Sequence, residues 1–356
     1  MLGRLIHKRE LALSQRDATR RARPFDWGTS FIGDAANGLA EFAQTDPARF
    51  FREYARRSFE RSEEFYRLDA TNFNYQLAGD TLTWTSQVQT DTAENNLVRA
   101  RLFPADETHR KGRERKSVDK RKRAVVVLPQ WNADETSHVG LCRLLNRFGI
   151  TALRLTLPYH EARRPPELAR AEYLVDANIG RTIQSAQQAV LDTRAAAHWL
   201  AEHGGFDSIG ITGTSVGSCV AFLAFAHDER IKVGVFNHVS GYFADVVWRG
   251  ISTSHVREGF GDRITLDDLR EFWLMLSPYP FAEKLQRMTP RRMRFIAARY
   301  DLSFPPDLSR DVIAEVRRRE LPLDVAWIPC GHYTSAEAPW KYLYGWNIVS
   351  FFRKHL

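Results

Sequence analysis

The sequence predicts an α/β fold, a mostly parallel sheet flanked by helices, and three observations carry that prediction. Short apolar runs rich in β-branched residues recur at AVVVL (124–128), ITALRLTL (150–157), SIGIT (208–212), KVGVFNHV (232–239), MRFIAA (293–298) and LDVAWI (323–328). Such runs mark strands buried on both faces of a parallel sheet. Helical stretches separate them; in 181–203, Ile183, Ala186, Val190, Ala197 and Leu200 fall at three- and four-residue steps or their sums, the spacing of one helix face. The regular alternation through most of residues 124–356 then calls for helices on both sides of the sheet.

Taken from the start of the chain, residues 1–80 read as an N-terminal helical extension. Within it, Asp46 to Arg67 is polar and helical in pattern, with Phe50, Phe51, Tyr54, Phe59 and Phe65 forming an aromatic face that can pack on a larger body. The remainder, 81–356, reads as one α/β domain. It opens with TLTWTSQVQ (81–89) and NLVRARLF (96–103), which alternate as strands do and predict an antiparallel edge hairpin within 81–104. A basic loop follows at 105–123. Residues 241–290 interrupt the alternation with an aromatic-rich, mainly helical insertion, the natural candidate for a cap over a site at the strand ends.

Composition narrows the function classes. The 356 residues are 44% hydrophobic and 26% charged, an ordinary globular balance. No stretch approaches the roughly 18 consecutive apolar residues of a membrane span. The Arg-rich start lacks the apolar core and small-residue cleavage site of a secretory signal, so a cytoplasmic location is the expectation, with a mitochondrial presequence as the alternative. Three cysteines, Cys142, Cys219 and Cys330, have neither the number nor the spacing of a disulfide framework or a metal site. The net charge of +8 is concentrated in the N-terminus and in HRKGRERKSVDKRKR, which has no interleaved aromatics. That pattern reads as a solvated loop and not as a nucleic-acid surface.

The chemistry centres on Ser215. Gly213-Thr214-Ser215-Val216-Gly217 follows the run SIGIT directly and opens the apolar stretch VGSCVAFLAFA. In that strand-to-helix context, Gly-x-Ser-x-Gly describes a sharp turn that projects the serine hydroxyl from the strand end. Gly28-Thr29-Ser30-Phe31-Ile32 lacks both the second glycine and the strand. A serine needs a base, and the base an orienting carboxylate. His332, in a glycine-containing loop just past the last predicted strand, is the candidate base; His238 and His255 are the runners-up. Asp301, at the end of MRFIAARY one strand earlier, is the candidate acid, with Asp245 as its alternative and Asp307 better explained as a first-turn helix residue. An oxyanion hole needs two backbone N–H groups. Val216 supplies one by position, and the second falls among Gln130, Trp131 and Asn132, with Trp131 the choice.

These residues bear a resemblance. The strand–elbow–helix around Ser215 and the order Ser215, Asp301, His332 resemble the α/β-hydrolase superfamily over roughly residues 124–356. Leu-Pro-Tyr-His (157–160) and Arg-Tyr-Asp-Leu-Ser-Phe-Pro-Pro (299–306) are similar to a little-characterised bacterial esterase branch. The resemblance implies a cofactor-free acyl-transfer mechanism, without a metal, on a small-molecule ester or acyl substrate, by a carboxylesterase or thioesterase. Pro129-Gln130 stands where the family usually has His-Gly. A non-catalytic scaffold that keeps the fold is the rival reading. Among the remaining features, Arg163 and Arg164 read as a solvated loop in preference to a carboxylate-binding pair. Cys219 reads as a buried structural thiol. Tyr242, Phe243, Trp248, Phe272, Trp273 and Tyr279 read mainly as packing within the insertion.

Overall fold

In the computed structural model, which describes residues 2–16, 19–36, 38–105, 121–287 and 291–356, the predicted α/β fold holds. All six apolar runs are strands of a single nine-stranded sheet. The strands are β1 (Gln76–Ala78), β2 (Thr81–Thr85), β3 (Leu97–Phe103), β4 (Arg123–Leu128), β5 (Thr151–Leu155), β6 (Ser208–Thr214), β7 (Ile231–Asn237), β8 (Arg292–Ala298) and β9 (Leu323–Ile328), in spatial order β1-β2-β3-β5-β4-β6-β7-β8-β9. From β5 to β9 every pairing is parallel, and β1–β3 form an antiparallel edge.

The side chains of β4 illustrate why the sheet needs cover on both faces. Ala124, Val126 and Leu128 join one apolar cluster while Val125 and Val127 join another, the two-residue period of a strand. Numbering the longer helices in chain order, these are α1 (Leu2–Ser14), α2 (Pro47–Glu60), α3 (Val139–Arg147), α4 (Ile179–Glu202), α5 (Val216–His227), α6 (Phe243–Arg249), α7 (Ser254–Phe260), α8 (Leu266–Phe272), α9 (Pro306–Arg318) and α10 (Trp340–His355). Helices α4, α5 and α9 pack in the first cluster, and α3 and α10 in the second. Helix α5, whose twelve residues are all buried, is the central one. The start of α4 is set by Asn178, whose side chain accepts the Arg181 N–H at 2.8 Å.

The N-terminal region departs from a purely helical extension. It includes β1, which adds an antiparallel strand outside the hairpin, and β2 ends at Thr85, short of the residue 89 expected. Helix α2 starts at Pro47 behind an Asp46 cap and buries Phe50, Phe51 and Tyr54. It lies against α8: the ring of Phe51 meets that of Phe272 with centroids 6.2 Å apart, and Arg52 reaches Asp268 (2.5 Å) and Glu271 (2.7 Å). The 241–290 segment carries α6, α7 and α8 between β7 and β8. Most of the basic loop, residues 106–120, lies outside the described residues. Arg163 corrects one expectation: it is fully buried, paired with Asp192 at 2.8 Å, and gives hydrogen bonds to the carbonyls of Asn95 and Thr156. A guanidinium with that set of partners is a structural pin, neither solvated nor free for a ligand. Arg164 is exposed. Among the described residues, no helix is long and apolar enough to cross a membrane.

Candidate active site

The carboxyl ends of β6, β7, β8 and β9 converge. Ser215 follows β6 with φ 60° and ψ −126°, a backbone conformation that L residues avoid. Two close approaches impose it. A Cβ on Gly213 would stand 2.0 Å from the carbonyl oxygen of Gly217, and one on Gly217 would stand 2.4 Å from that of Pro129. Only glycine fits either position, and the Ser215 N–H is fixed to the Asn237 carbonyl at 3.0 Å. The hydroxyl is thereby aimed out of the sheet at the mouth of α5.

His332, in the loop after β9, stands over it. The Ser215 Oγ lies 3.0 Å from His332 Nε2, and His332 Nδ1 lies 3.0 Å from Asp301 Oδ2. Asp301 is 2% exposed, and its Oδ1 accepts the backbone N–H groups of Ser303 (2.8 Å) and Phe304 (2.7 Å). Because that carboxylate accepts, Nδ1 of His332 carries the proton and Nε2 is free to accept from serine. Burial works to raise the Asp301 pKa, but His332 and His238 outweigh it and hold the carboxyl far below the usual range. For His332, burial works to lower the pKa, but the charges of Asp301 and Glu10 prevail and the net shift is upward. The Phe304 ring stacks on His332, 7° from parallel with centroids 5.2 Å apart.

Two residues at this centre fall outside the sequence expectation. His238, weighed as an alternative base, instead places its Nδ1 2.7 Å from Asp301 Oδ2, the same oxygen that His332 uses. Glu10, in the N-terminal helix that the sequence left without a role, is fully buried. Its two oxygens accept the N–H groups of Tyr333 (3.0 Å) and Thr334 (2.7 Å), the residues after His332. The one signal available was spacing: Glu10 falls between Ile6 and Ser14 at i, i+4 steps on the buried stripe of α1, where a carboxylate requires a partner.

The other candidates are engaged elsewhere. Asp245 is bound by Arg270 (2.6 and 2.9 Å). Asp307, in the first turn of α9, pairs with Arg249 at 2.7 Å. His255 stacks on Trp131 with centroids 5.6 Å apart. In the loop after β4, the Asn132 N–H is given to His160 Nε2 at 2.8 Å, and Trp131 is anchored by its indole N–H to the Ala171 carbonyl at 2.8 Å.

Ser215, Val216 and Trp131 line a cleft of about 480 Å³, open solvent at its mouth included, whose wall includes Tyr242, Phe243 and Val246 from the 241–290 segment. Beside it lies a narrow apolar recess with room for little more than a water-sized group, sharing Val175, Val216, Cys219 and Phe243 with the cleft. Among the described residues, none of those that line either space carries a formal charge. Cys219 donates to the Leu276 carbonyl at 3.2 Å, and burial pushes its thiol up to about 12, so it stays protonated. Among the described residues, His238, Asp301 and His332 are also the group whose nitrogen and oxygen atoms lie within 4.8 Å of one another, but both Nδ1 atoms are spent on the carboxylate.

No family model matches this sequence, and no curated protein matches it. Solved structures do. Acetyl xylan esterase 1 from Thermoanaerobacterium sp. superposes with a TM-score of 0.58 at 11% identity, over 83% of this chain and 93% of that one. Acylaminoacyl peptidase from Pyrococcus horikoshii gives 0.58 at 12% identity, over 81% of this chain and 42% of that one. Dipeptidyl peptidase 4 from Porphyromonas gingivalis gives 0.53 at 12% identity, over 80% and 35%. The chain therefore spans less than half the length of these two peptidases. At such identities the likeness establishes the fold, which is the α/β-hydrolase fold.

Proposed function

We propose that this α/β-hydrolase-fold protein is a serine hydrolase that cleaves a carboxylic ester or a related acyl bond, as a carboxylesterase or thioesterase. The observation that carries the reading is the unbroken relay from Ser215 Oγ to His332 Nε2 and from His332 Nδ1 to Asp301 Oδ2, each step 3.0 Å. In this reading His332 takes the proton of Ser215 as the hydroxyl attacks the acyl carbon. Asp301 stabilises the resulting imidazolium and fixes its tautomer. The tetrahedral oxyanion is met by the N–H of Val216, the first residue of α5, and by that of Trp131. The commitment of the Asn132 N–H to His160 supports Trp131 over its neighbour. His332 then gives its proton to the leaving alcohol or thiol, and a water activated by the same imidazole hydrolyses the acyl-enzyme.

The uncharged lining of cleft and recess favours an apolar acyl group, because an ionised one would lose its hydration without a counter-charge. The test is fluorophosphonate labelling and p-nitrophenyl ester turnover on wild type and Ser215→Ala. The expected result is labelling of wild type alone, with kcat reduced by a factor on the order of 10⁴ to 10⁶ in the variant. A folded wild type that neither labels nor turns over would instead favour a binding or scaffold protein.

A further inference from the structure

His238 is the element of this centre that a serine, a base and an acid do not call for. It leaves β7 in a left-handed conformation (φ 57°), its N–H bonded to the Ile296 carbonyl at 2.8 Å and its carbonyl accepting from Ser218 Oγ at 3.1 Å. The ring is 1% exposed, stacks on Tyr344 at 5.3 Å and 19°, and lies 4.5 Å from the ring of His332. Its Nδ1 meets Asp301 Oδ2 at 2.7 Å, closer than His332 at 3.0 Å, while its Nε2 finds no partner among the described residues. A buried ring nitrogen without a partner is unfavourable, and the polar contact that the ring does make lies on its other side, at Asp301.

We propose that His238 is a positioning residue for the base: its Nδ1–H fixes the Asp301 carboxylate toward His332 and takes up part of the hydrogen-bonding capacity that His332 would otherwise have to itself. This rests on the hydrolase reading for its meaning in turnover, but not for its physical test. Asp301 accepts four donors, the N–H groups of Ser303 and Phe304 on Oδ1 and the two histidines on Oδ2. Rotation of the carboxylate would break at least one of them. Sharing Oδ2 also dilutes the negative charge seen by His332, which moderates the basicity that a buried carboxylate confers. His238 acts as a neutral donor: burial and then the neighbouring His332 hold its pKa below the ordinary range. The other titratable groups around the pair include Tyr333, whose ring lies 5.9 Å from that of His332, Glu10, Cys330 and Tyr344. The last two are pushed up, mainly by burial, and remain neutral.

Two substitutions separate the donor from the ring. His238→Phe keeps the volume and the stack on Tyr344 but removes the donor. His238→Asn gives up the ring but offers a side-chain N–H near the Nδ1 position, and asparagine tolerates a left-handed backbone. The expected result is that Phe lowers kcat for p-nitrophenyl acetate about ten- to a hundredfold with little change in KM, and that Asn recovers most of that loss. In ¹⁵N NMR titration of the ring nitrogens, His332 should titrate at higher pH in the Phe variant and close to wild type in the Asn variant. The opposite ranking, Phe harmless and Asn damaging, would mean that the ring only fills space and would overturn the proposal. So would a His332 titration unmoved by either change. If wild type shows no turnover at all, the hydrolase reading fails, while the NMR titration still decides what His238 does to His332.

Discussion

The two sides of the candidate site are built in opposite ways. The serine side is nearly continuous in sequence: β6, the turn at Ser215 and α5 occupy residues 208–227, and the strain in the turn is accommodated by two glycines of the same pentapeptide. The acid–base side is assembled from α1, the end of β7, the loop after β8 and the loop after β9. Its hydrogen bonds join residues 31, 63, 323 and 324 positions apart. A local device is robust because its parts fold together, whereas a distributed one depends on every segment reaching its place. The largest losses from single changes are therefore expected on the distributed side, apart from removal of the Ser215 hydroxyl itself.

Asp301→Asn is the most severe of these. The amide still offers an oxygen to the N–H groups of Ser303 and Phe304, but its NH₂ then faces two Nδ1–H donors. His332 must change tautomer, which puts a proton on the nitrogen that should accept from Ser215. A drop in kcat on the order of 10⁴ is expected, measured beside a melting curve to show that the fold survives. A loss of less than tenfold would mean that Asp301 does not govern the tautomer of His332.

The same contrast explains what the sequence could disclose. The six sheet strands and the elbow were legible because each is announced by neighbouring residues: apolar runs for buried strands, and Gly-x-Ser-x-Gly between strand and helix for the turn. Asp301 and His332 were legible through their order along the chain. Glu10 and His238 were not, since nothing near either residue in the sequence points to its partner. Arg163 was misread for the same reason: beside Arg164 and two prolines it resembles a surface loop, and only the fold brings Asp192 to it.

A pair of glycine substitutions sharpens the comparison at a smaller scale. A Cβ on Gly331 would stand 2.3 Å from Cδ of Glu10, a side-chain carbon, whereas a Cβ on Gly213 would meet the backbone of Gly217. Gly331→Ala is expected to cost about 1–3 kcal/mol through overpacking, and Glu10→Ala about 1–3 kcal/mol through the two N–H groups left without an acceptor. The double variant should be more stable than the sum of the two losses, because removing the carboxylate also removes the clash. No such partner exists for Gly213→Ala, whose clash is with main chain. Urea midpoints for the four proteins decide the matter; strict additivity of Gly331→Ala and Glu10→Ala would show that α1 does not bear on the His332 loop.

The smallest expected effect is in pH dependence, and it separates the two sides without disturbing packing. In the proposed mechanism His332 must be neutral to accept the serine proton, and Asp301 and Glu10 hold its pKa above the ordinary value of about 6.5. The acid limb of kcat/KM should therefore lie above that pH and rise with it. Glu10→Gln removes one of the charges that raise His332, so the limb should move down by a fraction of a unit while Ser215 and its turn stay unchanged. Stability runs the other way for His332: its raised pKa contributes stabilisation that is complete below about 6.5 and fades as pH climbs through the folded-state value. His138, His160 and His227 oppose that trend. Burial holds them at about 4, about 4 and about 3, so the fold loses stability as pH falls from about 6.5 toward those values. Following kcat/KM and Tm across the same pH series in wild type and Glu10→Gln tests the assignment. A limb that does not move, in a protein whose Tm profile is otherwise retained, would remove Glu10 from the electrostatics of the base and leave it only a structural hold on the loop.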